Sequence, residues 1–335
     1  MNNIKKVGLS ALAGSLAAFS VNAVEVAVSG KTEVTYSGTK DGVNGNKWGG
    51  GNALTFSGSG DVNGYTATYT AVIGDGGQAS SVTSETFASS SLMLDMGDIG
   101  TVGFDQGVGE FGVGTIDDKM PYAYEEIWTY TGASNGLRAA GGSNVLGYKN
   151  TFSGYTLSVE LDPGHTDKVT GSSGDGGNTG AGTTSSGYNW AVTGSPAAGW
   201  NVGVGAGDEE LKNSVTTNED LTFRTAFATY AISGFTVGFQ RSNADGGSTG
   251  ATENNVDIYG VSFAVNDNLS ISYNQMDNEF DKSAAVDVDE ETTGVGISYT
   301  MGSASIRLLN AETDNLGGVA QKTTEHTEVS LLLAF

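Results

Sequence analysis

The chain has no cysteine, three prolines and only 15 Lys+Arg to set against 38 Asp+Glu in 335 residues. Without cysteine there is no thiol redox chemistry and no disulfide-stapled scaffold. Scarce proline leaves nearly every backbone N–H available, as an extensive hydrogen-bonded sheet requires. The net charge of −23 repels a phosphate backbone and excludes nucleic acid as a partner. Beyond Ala23 no run of about 18 consecutive apolar residues occurs, which excludes helical membrane spans. Glycine is abundant instead, with 52 residues, so tight turns are easily made.

The N-terminus reads as an address. Lys5 and Lys6 precede an apolar stretch from Val7 to Val21, and Val21-Asn22-Ala23 supplies the small residues of a cleavage site. Residues 1–23 are therefore expected to be a signal peptide and 24–335 the folded unit. Removing two lysines and no acid takes the net charge from −23 to −25. An exported chain of this kind argues against a cytosolic enzyme.

One short pattern recurs: a tight turn, a glycine, an aromatic, then apolar residues at every second position. It occurs at Asn63-Gly64-Tyr65, Ser153-Gly154-Tyr155, Ala198-Gly199-Trp200 and Ser233-Gly234-Phe235. From the first aromatic the apolar row runs Tyr65, Ala67, Tyr69, Ala71, Ile73, and from the last Phe235, Val237, Phe239. Period two means a strand with one apolar face. Weaker copies follow the turns at Gly97 to Gly100, Asn266 to Asn268 and Met301 to Ser303. Each turn is preceded by another alternating stretch, such as Leu221, Phe223, Thr225, Phe227 or Tyr259, Val261, Phe263, Val265. With a first strand from Val24 to Tyr36 and a last from His326 to Phe335, about sixteen strands result, joined by short and long connections in alternation.

A soluble sandwich alternates as well, so the polar positions decide. Within the strands they are mainly Ser, Thr, Gly and Asn, whereas Asp208, Glu209 and Glu210, Asp277, Glu279 and Asp281, and Asp287, Asp289, Glu290 and Glu291 read as charges of the long connections. The aromatics after the turns fall at one level, as an interfacial girdle does. At the C-terminus, Phe335, Leu333, Leu331 and Val329 share a face and resemble the assembly signal of outer-membrane barrels. The expected fold is all-β: a transmembrane antiparallel β-barrel with short periplasmic turns, long external loops and a Gram-negative outer-membrane location. A barrel of this strand number leaves an aqueous channel, with its greasy rows turned to lipid and small hydroxyl and glycine residues holding the inside wet and open.

The motifs also carry a family resemblance over nearly all of residues 24–335. Gly97-Asp98-Ile99-Gly100-Thr101-Val102-Gly103-Phe104 resembles a strand 4 to strand 5 signature of Gram-negative general porins, with Gln106 where a basic residue often follows. Leu137-Arg138-Ala139-Ala140-Gly141-Gly142 through Tyr148-Lys149-Asn150 is similar to the family's Arg-containing strand 6. The resemblance implies a homotrimer of sixteen-stranded barrels, each with a third loop folded inward to narrow a pore. That loop corresponds to about residues 107–136, which mix acids and aromatics; Glu110, Asp117, Asp118, Glu125 and Glu126 are its candidate pore-facing acids. Lys31, Lys149 and Arg307 fall at lumen-facing positions and Arg138 matches the family's basic cluster, so acid on the loop and base on the wall would set up a transverse field.

The expected function is passive diffusion of ions and small hydrophilic solutes, cation-preferring because acidic loops concentrate counter-ions. A barrel whose external loops serve adhesion, or a soluble secreted β-rich binding protein, are the rivals. No cofactor is expected, beyond Ca²⁺ or Mg²⁺ held at the acidic run Asp287 to Glu291 or bridging it to lipopolysaccharide. Gly107-Val108-Gly109-Glu110-Phe111-Gly112 fits GxGxxG without an amphipathic helix after it, and Gly132-Ala133-Ser134-Asn135-Gly136 fits GxSxG with only His165 and His326 as bases, so neither a nucleotide site nor a hydrolase is expected.

Overall fold

A computed structural model describes residues 25–39, 46–74, 89–117, 119–129, 131, 137, 143–162, 186–212, 218–248, 251–281 and 288–335. The signal segment, 1–23, lies outside them. The strands are β1 Glu25–Thr39, β2 Trp48–Val62, β3 Tyr65–Gly74, β4 Ser89–Asp95, β5 Thr101–Gln106, β6 Ser143–Phe152, β7 Tyr155–Asp162 and β8 Gly187–Gly194. They continue as β9 Trp200–Lys212, β10 Asn218–Ile232, β11 Phe235–Ser248, β12 Ala251–Ala264, β13 Leu269–Asp281, β14 Glu290–Met301, β15 Ala304–Asp314 and β16 Thr324–Ala334.

Every strand pairs antiparallel with its sequence neighbours, and β1 closes the sheet on β16. The seam runs from Lys31 opposite Ala334 to Thr39 opposite His326. It is finished by the last residue: the Gly30 amide donates to the Phe335 carbonyl at 2.7 Å and the Phe335 amide donates to the Gly30 carbonyl at 2.9 Å. A closed sheet leaves no edge, which is what hydrocarbon demands of a β structure.

The recurrent turn motif has a stereochemical cause. Asn63 and Gly64 (φ 54° and 87°), Ser153 and Gly154 (51° and 84°), and Ser233 and Gly234 (49° and 83°) all hold positive φ at both central positions. That is the hairpin whose twist matches the flanking strands, and glycine at the second place lowers its cost. The next residue starts a strand pointing outward. Phe235 stacks on Phe263 with ring centroids 4.2 Å apart, and Trp200 lies 4.9 Å from Tyr230.

The outer surface carries the apolar rows. Val34, Leu92, Val237, Ile271, Val295 and Ile306 are exposed, as are Val329, Leu331, Leu333 and Phe335 of the final row. The inner rows are largely hydroxyl, amide and glycine positions.

Three expectations are corrected. Leu221, Phe223 and Phe227 of β10 do not face lipid; they are buried inside, while Ala226, Ala228, Tyr230 and Ile232 form the outer row. Both rows of β10 are apolar, and a shift of one residue exchanges the faces, so alternation could not choose. The acids assigned to long connections stand on strands instead: Asp208, Glu209 and Glu210 in β9, Asp277, Glu279 and Asp281 in β13, and Glu290 and Glu291 in β14. A bilayer needs only about 9–11 residues of tilted strand, whereas β10 has 15 and β13 has 13, so the upper strands continue into water and carry outward charges there. Period two also splits the acidic run: Glu290 is buried inside and Glu291 is exposed outside. Asp287 lies outside the described residues. Finally, the connection from β11 to β12 spans only residues 249–250, so it is not a long loop.

Two outcomes follow from the rows and the seam. Val237→Arg places a charge on the lipid face and should lower stability by about 2–4 kcal/mol in urea unfolding from phospholipid vesicles, whereas inner-row Thr236→Arg should cost clearly less. A Cβ at Gly30 would lie 2.5 Å from the Phe335 ring, so Gly30→Leu should reduce the heat-modifiable folded fraction, as should removal of Phe335.

Candidate functional site

The segment between β5 and β6 does not stay outside. At its root Asp105, 1% exposed, accepts hydrogen bonds from the amides of Val108 (2.7 Å) and Glu110 (2.6 Å) and turns the chain into the barrel. Gly112 follows with φ 62°, at a point where any Cβ would collide with Asn189 and Glu160, and opens a 3-10 turn over Gly112–Ile116 rather than an α-helix. Of the glycines of the GxGxxG pattern, Gly112 thus serves a close approach of backbone to wall, while Gly107 and Gly109 hold positive φ of 84° and 86°.

From there the loop follows the inner wall from glycine to glycine. The Phe111 ring occupies the place of a side chain at Gly147, Val113 and Ile116 lie on Gly205, Met120 and Pro121 on Gly238, and Ile127 on Gly294. Phe111, Val113, Ile116 and Ile127 are at most 1% exposed, and the last three share one buried cluster with the inward side chains Phe223, Phe227, Ile258, Met276 and Leu309. Burying each such side chain contributes about 1.5–3 kcal/mol. The inner glycines therefore do not keep the whole lumen wet; many of them receive the loop.

Wall side chains satisfy the loop backbone along the way. Gly112 N–H donates to Ser158 Oγ at 2.9 Å, Val113 N–H to Asn189 Oδ1 at 2.7 Å and Ala123 N–H to Ser272 Oγ at 2.9 Å. Asn274 Nδ2 donates to the Pro121 carbonyl at 3.0 Å. Polar inner rows are needed for this reason, because buried backbone groups without partners are costly.

The far end of the loop is held at the closing seam. The Tyr124 hydroxyl lies 2.5 Å from Glu328 Oε1 on β16 and 3.2 Å from Glu33 Oε1 on β1. Arg307 on β15 donates to Glu33 at 2.5 Å, its guanidinium lies 4.4 Å from the Tyr124 ring centre, and Ser330 donates to the same Glu33 carboxylate. Tyr124, Glu33, Arg307, Ser330 and Glu328 thus join four parts of the chain.

Of the residues singled out by sequence, Glu110 on the loop and Lys149 on β6 come together at 2.7 Å, with the Lys149 amine 5.6 Å from the Phe111 ring centre. Arg307 is taken by the wall acid Glu33 rather than by a loop acid. Asp117, Glu125 and Glu126 stand on the inserted loop, all partly exposed, and Thr129 Oγ1 donates to Glu126 at 3.2 Å. Lys31 is an exposed member of the inner row of β1 with no ion-pair partner among the described residues. Asp118, Arg138, Ser134 and His165 lie outside them. Glu33, Asp105, Lys119 and Glu328 were missed, although alternation held the signal for three: Glu33 is two residues from Lys31, Asp105 follows Phe104, and Glu328 precedes Val329. Lys119, on the irregular loop, had no such signal.

The inner rows of β2 to β4 carry no Lys or Arg. Asp105, Ser91, Thr70 and Ser57 lie opposite one another across β5, β4, β3 and β2. Of these Ser91 and Asp105 are 1% exposed, whereas Ser57 and Thr70 are partly or fully open, as are Thr55, Ser59, Thr66 and Thr68 on β2 and β3.

A model of Gram-negative porins matches residues 8–317. No curated protein matches the sequence. Among solved structures, the anion-selective porin from Comamonas acidovorans has a TM-score of 0.64 at 16% identity, covering 93% of this chain and 100% of that one. OmpF of Salmonella typhi, in complex with daunomycin, gives 0.70 at 11%, covering 93% and 98%. The trimer form of Vibrio cholerae OmpT gives 0.69 at 12%, covering 93% and 99%. At these identities the structures show the fold.

Tyr124→Phe removes the one hydroxyl shared by Glu33 and Glu328 and should cost about 1–3 kcal/mol. Faster proteolytic cleavage within residues 107–137 of the folded protein is the expected readout, with exterior Tyr65→Phe unchanged.

Proposed function

The chain belongs to the Gram-negative porin family, and on that footing we propose that its outer-membrane barrel is a cation-preferring, water-filled passage for ions and small hydrophilic solutes. The passage lies between the inserted loop and the hydroxyl-bearing inner rows of β2 and β3. No catalytic step is assigned to it; solutes move down their own gradients.

The observation that carries the ionic preference is the pairing state of the bases. Lys149 lies at 2.7 Å from Glu110 and Arg307 at 2.5 Å from Glu33, so two of the cations that would face an anion are already neutralised. Wall acids Glu160 and Glu328 and loop acids Asp117, Glu125 and Glu126 add negative charge to the same interior. In a narrow, low-dielectric passage such an excess favours cations. The loop acids are read as the constriction, facing an arc of hydroxyls instead of a basic cluster.

Trimeric assembly is proposed from family membership, supported by the trimer form known for the Vibrio cholerae protein. Outward carboxylates above the apolar band, such as Asp277 directly opposite Glu291, fit a surface that meets anionic lipopolysaccharide through divalent cations.

Reconstitution in a planar bilayer under a KCl gradient tests the reading. A stepwise conductance with a reversal potential of cation-selective sign is expected, and combined Glu125→Gln and Glu126→Gln should move it toward zero. An anion-selective sign overturns the preference, and absence of conductance overturns the channel.

A further inference from the structure

Beside the inserted loop lies an open-sided cavity of about 480 Å³, lined by the loop residues Glu110, Thr115 and Lys119 and by residues of β6 to β10. Its volume falls within the roughly 300–1,000 Å³ of sites that hold small molecules. The cavity is chemically asymmetric. Glu110 and Lys149 neutralise each other across 2.7 Å, which leaves the Lys119 ammonium as the net charge of the lining.

Lys119 makes no ion pair with any described residue, although it stands among acids in sequence. On the wall, Thr193 and Asn201 also line the cavity and make no side-chain hydrogen bond there. By contrast Thr115 is bound to the Gly112 carbonyl at 2.6 Å and Thr156 to Thr151 at 2.8 Å, so those hydroxyls are partly engaged. Phe227 contributes an apolar floor. A cation, a hydroxyl and an amide without partners among the described residues, a neutral ion pair and an aromatic ring describe a complement for one kind of solute.

We propose that this cavity is a binding station for small hydroxylated monocarboxylates of the sugar-acid class, with Lys119 taking the carboxylate, Thr193 and Asn201 the hydroxyls, and Phe227 the carbon chain. The assignment rests on the channel reading and deepens it, since an otherwise acidic passage gains one place where a singly charged anion is held. A second carboxylate on the solute finds no second unpaired cation, because Lys149 is already taken by Glu110, and its desolvation is left uncompensated. A neutral polyol makes the hydroxyl contacts and lacks the ionic one.

Single channels of the full protein at fixed KCl, with sodium gluconate, sorbitol or glucarate added on one side, test this. Gluconate should interrupt the current with half-saturation about tenfold below that of sorbitol, the equivalent of one charge-assisted hydrogen bond, with glucarate weaker than gluconate. Lys119→Gln should raise the gluconate half-saturation about tenfold, whereas exterior Arg241→Gln should leave it unchanged. Should Lys119→Gln fail to insert as a conducting barrel, Thr193→Val serves in its place and should weaken gluconate severalfold. Equal effects of gluconate and sorbitol, or gluconate block that survives these substitutions, overturn the station while a conducting channel leaves the passive-transport reading intact.

Discussion

A β structure in hydrocarbon must satisfy every backbone N–H and C=O internally, and the closure of β1 on β16 is the contact through which this chain does so. The scarcity of proline and the two-residue hairpins with positive φ serve that sheet. Gly30 and Phe335 complete it at the place where the two ends of the folded chain meet. Once closed at this strand number the wall cannot be filled by its own side chains, and an interior space results.

The interior is then divided by a second packing problem. A loop rich in Phe, Ile, Met and Trp cannot remain in water without exposing that surface, and inner-row glycines give its backbone and rings room to lie flat on the wall. Ser158, Asn189, Ser272 and Asn274 supply its hydrogen bonds, so the polar inner rows have a structural task as well as a solvating one. The apolar core of this protein consequently lies inside the barrel and to one side, leaving the inner-row hydroxyls of β2 and β3 open.

Electrostatics follow from the same division. Loop and wall acids meet wall bases at contact distance, at Glu110 with Lys149 and at Glu33 with Arg307, so the field across the lumen comes from what is left over. Lys119, by contrast, lines a cavity beside the Glu110–Lys149 pair and has no ion-pair partner among the described residues.

Period two, the Gly-aromatic turns and the alternating C-terminal row were legible without coordinates, because they are local consequences of strand geometry and of one face meeting lipid. Sequence alone therefore determined the barrel, its strand number and the lumen-facing placement of Lys31, Lys149 and Arg307. It did not determine which row of β10 turns inward, since both rows are apolar and only the presence of the loop beneath Phe223 and Phe227 makes the inner one favourable. Nor did it determine that Arg307 pairs with Glu33, or that Lys119 joins Thr193 and Asn201 in lining one cavity. Those outcomes depend on residues far apart in the chain being carried to one place, and only closure of the sheet, followed by the descent of the loop into it, brings them there.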